Sequence, residues 1–150
     1  ESGNLNNWWN NETLKEFEAR TKCFEDQYSS YIIDDENVNG HLTLGENMAD
    51  NGGLKASFRA YEEWTRQKEV DELPLPGLNL THPQLFFLSF SQVWCSSNTK
   101  QYNHLQLKDD PHSPSKFRVI GPLSNSKDFA QAFKCPINSK MNPANKCEIW

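Results

Sequence analysis

The stretch from Leu44 to Lys68 constrains the fold most. Leu54, Phe58, Tyr61 and Trp64 or Thr65 recur at i, i+4, i+7 spacing, which predicts a long helix with one apolar face. The run Leu73-Pro74-Leu75-Pro76-Gly77 breaks it. The chain has 150 residues, one domain or a piece of one. Hydrophobic residues make up 36%, lean beside the roughly 45–50% of ordinary domains even when glycine is added. A lean core fits a piece that packs against something else. Mean hydropathy is −0.80, and the apolar clusters around Leu85–Leu88 and Phe90 fall far short of the ~20 residues a spanning helix needs. That excludes a membrane-embedded protein. Net charge is −5 with no Lys/Arg run, which argues against a nucleic-acid partner.

The other elements read as mainly α, with little strand. A first helix follows Asn11 through Leu14, Phe17, Thr21 and Phe24, with Thr13 and Glu16 at capping-box spacing. An acidic, Asn/Gly-rich turn covers Asp34 to Gly40. A third helix is expected from about Pro83 to Ser96, apolar nearly all round and therefore central. Ser97 to Pro114 reads as a polar loop, and Phe117 to Pro122 as short and extended. A last helix spans roughly Ser126 to Phe133, followed by a turn-rich tail from Cys135 to Trp150.

Four cysteines, Cys23, Cys95, Cys135 and Cys147, lack C-x-x-C spacing, so a structural zinc site is not expected. They allow three complete pairings. Two glycosylation sequons begin at Asn11 and Asn79. With an even cysteine count they point to an oxidising, extracytoplasmic location.

The oddest segment is Gly45-Glu46-Asn47-Met48-Ala49-Asp50-Asn51-Gly52-Gly53. Glu46 and Asp50 stand four apart, on one helix face, where like charges cost a few tenths of a kcal/mol. Gly52 and Gly53 cost roughly 1 kcal/mol each inside a helix relative to Ala. A cation would offset the first cost, and close approach of another helix would explain the glycines. One carboxylate could bind a metal while the other orients a neighbouring His. An acidic helix start that suits the macrodipole accounts for the same residues.

The segment Asn39-Gly40-His41-Leu42-Thr43-Leu44-Gly45-Glu46-Asn47-Met48-Ala49-Asp50-Asn51-Gly52-Gly53-Leu54 closely resembles the third-ligand motif of the neprilysin and endothelin-converting-enzyme family of zinc metallopeptidases. Three further stretches agree in order. They are Gln84–Phe87 through Gln92-Val93-Trp94-Cys95, Pro111-His112-Ser113-Pro114 through Phe117–Gly121, and Met141-Asn142-Pro143 with the terminal Cys147-Glu148-Ile149-Trp150. The resemblance covers the chain from about Cys23 to its end. It implies the C-terminal helical subdomain of a thermolysin-like zinc metallopeptidase catalytic domain.

The resemblance also implies roles. Glu46 matches the glutamate ligand of the catalytic zinc, and Asp50 the carboxylate that orients a zinc-bound His. His112 matches the histidine that steadies the oxyanion, and Arg118 the arginine that bonds the substrate backbone. Val93 and Trp94 match the pocket for the large apolar side chain after the scissile bond. Taken alone, His112 reads as an exposed loop residue, Arg118 as half of a surface pair, and Val93 and Trp94 as core. His41, His82 and His104 receive no role. The resemblance pairs Cys23 with Cys147 and sends Cys95 and Cys135 to partners in a missing N-terminal part.

No H-E-x-x-H occurs anywhere in the chain, so the two histidine ligands and the general base are missing. A zinc peptidase needs three protein ligands and an open position. The chain is therefore expected to be the C-terminal part of a zinc metalloendopeptidase, inactive alone, with Glu46 and Asp50 facing a cleft or absent partners. Small bioactive peptides cut before bulky apolar residues are the implied substrates. The implied location is the outer side of the cell membrane, as a type II ectodomain, or secretion. Two other readings stand: a non-catalytic secreted or surface glycoprotein that keeps the fold for binding, and a helical interaction module without metal.

Overall fold

The computed structural model describes residue 3 and residues 6–68 and 72–149; Trp150 of the terminal motif lies outside them. Within them are six helices and one two-stranded hairpin, so the mainly α expectation holds. Helix α1 is Asn11–Ser29. Its cap is Asn10, whose side chain accepts the Thr13 amide hydrogen at 2.8 Å. The cap role expected of Thr13 falls three residues earlier. Strands β1 (Ile32–Ile33) and β2 (Glu36–Asn37) pair antiparallel. Asp34 and Asp35 between them take φ values of 49° and 69°, the left-handed pair that a two-residue hairpin turn requires.

Helix α2 is Leu44–Arg66, close to its expected span. It packs against α1 and against α5, Ser115–Asn125. The extended reading of Phe117–Pro122 is wrong. The β-branched pair Val119-Ile120 suggests a strand, yet α5 buries Phe117, Gly121, Pro122, Leu123 and Ser124, of which Phe117, Gly121 and Ser124 share one helical face. Small residues at two of those three positions hide the period. Gly121 is where α1 comes close, since a Cβ there would lie 2.1 Å from the Tyr28 Oη. At Gly53 a Cβ would meet open space, so helix approach does not explain that glycine.

Helix α3 is His82–Gln92, capped by a Thr81–Gln84 capping box. It is not central. Phe87 is fully buried, but Leu88 on the far side is 40% exposed. It packs on α5 and on α6, Lys127–Ala132, and through Phe86 and Phe87 on Phe58 and Tyr61 of α2, while the side that carries Leu88 is open. The expected polar loop contains α4, Lys100–Asp109. It has no apolar stripe to announce it. Thr99 caps it, and polar bonds dock it on the hairpin: Asn103 Nδ2 to Asp34 at 2.7 Å and His104 Nδ1 to Glu36 at 2.8 Å.

Two core clusters meet along α5. One gathers Phe24, Tyr28, Val38, Phe117, Cys147 and Ile149. The other gathers Leu54, Phe58, Phe87 and Leu123. Phe24, Tyr28 and Phe87 are essentially fully buried, each stabilising by about 1.5–3 kcal/mol. A disulfide joins Cys23 to Cys147, with Cα atoms 5.6 Å apart across a separation of 124 residues. It draws the turn-rich tail onto α1. Closing a loop that long restricts the unfolded chain by about 5 kcal/mol on the chain-entropy account. Cys147→Ser is expected to lower stability by roughly 2–5 kcal/mol, read as the shift of the urea midpoint without reductant. Cys95 is free and exposed, and Cys135 is free and half-buried.

Candidate catalytic cluster

The first two turns of α2, the C-terminal end of α3, the turn after α4 and the first turn of α5 converge on one spot. Glu46 and Asp50 lie on one face of α2, as their spacing requires. Asp50 does not wait for an absent partner. Its two carboxylate oxygens accept Arg118 Nε and Nη2, each at 2.7 Å. The side chains are only 11% and 16% exposed. This is a parallel two-bond fork, largely shielded from water, not an ordinary surface pair. Hydrogen bonding to Asp50 outweighs desolvation and holds the Arg118 guanidinium charge more firmly than usual, with Glu46 adding in the same direction.

Trp94 lies against a face of that guanidinium, whose edge bonds Asp50. The Arg118 Cζ lies 3.9 Å from the indole centroid, a cation–π contact. Trp94 is half-buried, whereas Val93, at the end of α3, is 75% exposed. Val93 is therefore not core in this chain. Any pocket that uses it needs a wall from elsewhere.

His112 sits in the turn between α4 and α5. Its backbone N–H and its Nδ1 both contact Asp110 Oδ1 at 2.8 Å. The backbone bond is the main reason the Asp110 carboxyl titrates below its usual range. The Nε2 atom lies 3.3 Å from Glu46 Oε2. With Nδ1–H given to Asp110, Nε2 bears a proton only in the imidazolium and then donates to Glu46. Asp110 escaped the sequence reading. The signal was available in Asp110-Pro111-His112, where an Asp accepts from the backbone two residues on.

A polar ladder, buried at Asn47 and half-buried at Asn51, supports the cluster from behind. Asn47 joins Ser113 and Thr43. Asn51 donates to Tyr28 Oη at 3.1 Å and accepts from Asn125 at 2.9 Å. Burial pushes the Tyr28 hydroxyl well above its usual range, so it stays neutral. Asn is usually placed at surfaces, and nothing in the spacing separates these two from the acidic residues beside them.

The structure thus brings together Glu46, Asp50, His112, Arg118 and Trp94. Among the described residues, no three His, Cys, Asp or Glu side chains gather as a metal site, and no helix is long and apolar enough to cross a membrane. Asn11 and Asn79 are both exposed.

The model of peptidase family M13 matches residues 1–149. The chain belongs to peptidase family M13. This M13 chain is 61% identical over its whole length to an endothelin-converting enzyme homolog of Locusta migratoria. It is 55% identical over 99% of its length to neprilysin-3 of Drosophila melanogaster. It covers 20% and 19% of those two proteins, so the chain spans about a fifth of the length of the curated relatives it matches. Its fold superimposes on a zinc metalloprotease of Mycobacterium tuberculosis in complex with inhibitor, with a TM-score of 0.85 and 32% identity. That alignment covers 99% of this chain and 23% of the other. A Haemonchus galactose-containing glycoprotein complex gives a TM-score of 0.86 at 35% identity, over 93% of this chain and 24% of the other.

Proposed function

We propose that this chain is the C-terminal part of the catalytic domain of a zinc metalloendopeptidase that cuts small peptides before bulky apolar residues. The observation that carries the reading is the cluster itself. A half-exposed carboxylate, Glu46, stands beside a histidine and an arginine that are each held by their own aspartate.

The residues present fit one corner of a zinc site. Glu46 is 42% exposed and has oxygen lone pairs to give. Asp50 spends one lone pair per oxygen on Arg118, and a carboxylate offers about four. It therefore retains capacity to accept the N–H of an imidazole ligand and fix its orientation. The remaining two ligands and the general base belong to sequence outside this chain, since zinc in a peptidase takes three protein ligands.

When bound, zinc supplies Lewis acidity and a water with its pKa lowered to about 7. The chain's own residues then have distinct tasks. Glu46 holds one coordination position. His112, as the imidazolium with its Nδ1–H fixed on Asp110, presents Nε2–H to the oxygen that gains charge as the peptide carbonyl is attacked. Arg118 is held between Asp50 and the Trp94 indole, so its remaining N–H donors have a fixed direction and can bond the substrate backbone. Fixed donors of this kind are typically worth about 2.7–4 kcal/mol each at the barrier. Val93 and Trp94 form part of the wall of the specificity pocket. The rest of that wall, and the partners of Cys95 and Cys135, lie in the remainder of the same protein. Exposed Asn11 and Asn79 suit glycans, and so an ectodomain or a secreted protein.

The test uses the complete protein. Its sequence is expected to carry H-E-x-x-H about 60 residues before Glu46. One zinc per chain and cleavage of a fluorogenic peptide before Phe or Leu are the expected results. An active, zinc-free protein, or a zinc-free binder with no turnover, would overturn the reading. The second outcome would favour the non-catalytic glycoprotein. The intact pairing of Asp50 with Arg118 and of Asp110 with His112 weighs against it, because a binding scaffold has no need of both.

A further inference from the structure

We propose that Asn47 and Ser113 are positioning residues that set His112 relative to Glu46. The inference rests on the roles given to those two residues above. Glu46 and Asn47 are neighbours in the first turn of α2. Glu46 is half-exposed at the cluster, while Asn47 is fully buried behind it. Asn47 Oδ1 accepts the Ser113 hydroxyl at 2.7 Å. Its Nδ2 donates to Thr43 Oγ1 at 2.8 Å, and Thr43 Oγ1 donates to the Asn39 carbonyl at 3.0 Å. Ser113 is 1% exposed and directly follows His112.

The bond therefore joins the backbone one residue past Glu46 to the backbone one residue past His112. Asp110 does not do the same work. It lies in the same turn as His112, so it aims the ring within that turn and not against α2. The Gln106 bond to the His112 carbonyl is long, at 3.5 Å, and comes from α4. An apolar pair could fill the same volume without a directional demand. A hydroxyl–amide bond in a dry site fixes distance and angle, and the Thr43 bond fixes which way the Asn47 amide faces. The geometry thus sets the distance from Nε2 to the position Glu46 defines. A displacement of about 1 Å between catalytic groups can cost up to about 100-fold in rate.

The test is Ser113→Ala, Asn47→Ala and the double variant, each in the complete zinc-loaded protein. Ser113→Ala is expected to lower kcat by about 10- to 100-fold with KM within about twofold, because His112 acts on the transition state. Zinc content should stay at the wild-type level. A phosphinic peptide inhibitor, which carries a tetrahedral anion, should lose affinity by about the same factor as kcat. A peptide thiol inhibitor, which reaches the metal without that anion, should bind as before. The double variant should resemble Asn47→Ala, since that change already removes the Ser113 bond together with the Thr43 bond. Wild-type kcat in Ser113→Ala would overturn the inference. So would parallel loss of zinc and of affinity for both inhibitors, which marks a fold defect. If Asn47→Ala fails to fold, Ser113→Ala with its two inhibitors still decides. A wild-type protein without zinc or turnover would fail the underlying reading, whereas a working wild type indifferent to Ser113→Ala fails this inference alone.

Discussion

Glu46→Val in the complete protein is expected to remove bound zinc and to lower peptide hydrolysis by more than about 1,000-fold, over ~4 kcal/mol of barrier. The structure makes this separable from unfolding. Glu46 is half-exposed in the first turn of α2, and its close polar contact is the His112 ring at 3.3 Å. Removing it opens no cavity and leaves no buried donor without a partner. The urea midpoint should therefore move little while zinc content falls. Glu46→Gln keeps the shape and loses the charge, and it should fail nearly as badly because the metal takes a carboxylate far better than an amide. Metal analysis and kcat on the same preparations make the comparison. Wild-type activity in Glu46→Val would remove the ligand assignment.

Arg118→Ala should be damaging in two ways at once. It strips the two-bond fork from Asp50, a carboxylate only 11% exposed. It also removes the cation from the Trp94 face. Breaking one side of a buried ion pair costs about 3–5 kcal/mol, and the residual exposure here places the expected loss near the lower end. Activity should fall by at least about 100-fold, the range for a lost transition-state donor. Arg118→Lys keeps the charge without the fork, so it should recover part of the stability and little of the rate. The pair Asp50→Leu/Arg118→Met separates the two effects. Replacing both partners with apolar groups is often close to neutral for stability, while the substrate donor stays lost. A double variant that is stable and fully active would show that the pair is structural only. Urea midpoints and kcat/KM measure both arms.

Some of this was legible in the residues themselves. Helix α2 was, because Leu54, Phe58 and Tyr61 carry an unbroken apolar period and a proline-rich run stops it. The shared face of Glu46 and Asp50 was too, since four-residue spacing in a helix permits nothing else. The family motifs confine the candidate site to a handful of positions. What escaped was decided by contacts between distant segments. Helix α5 reads as a strand by propensity, but burial of Phe117, Gly121 and Ser124 against α1 and α2 overrides a preference worth at most about 1 kcal/mol. Helix α4 has no apolar stripe, and its capping Thr99 and its bonds to Asp34 and Glu36 become meaningful only once the hairpin lies beside it. Helix α3 reads as central because its residues are apolar all round, yet only the side with Phe86 and Phe87 is covered, by α2, α5 and α6, and Leu88 is left exposed. Hydrophobicity says that a face needs cover, not that this chain supplies it.

Local spacing could place Glu46 beside Asp50, but the partner of Asp50 comes from 68 residues away. The same holds for Ser113 on Asn47, across 66 residues. Local periodicity determined the long helix and the register of its acidic face. Tertiary packing alone chose which cation, which histidine and which buried amide would meet that face, because side chains so far apart in sequence become neighbours only after the helices have docked.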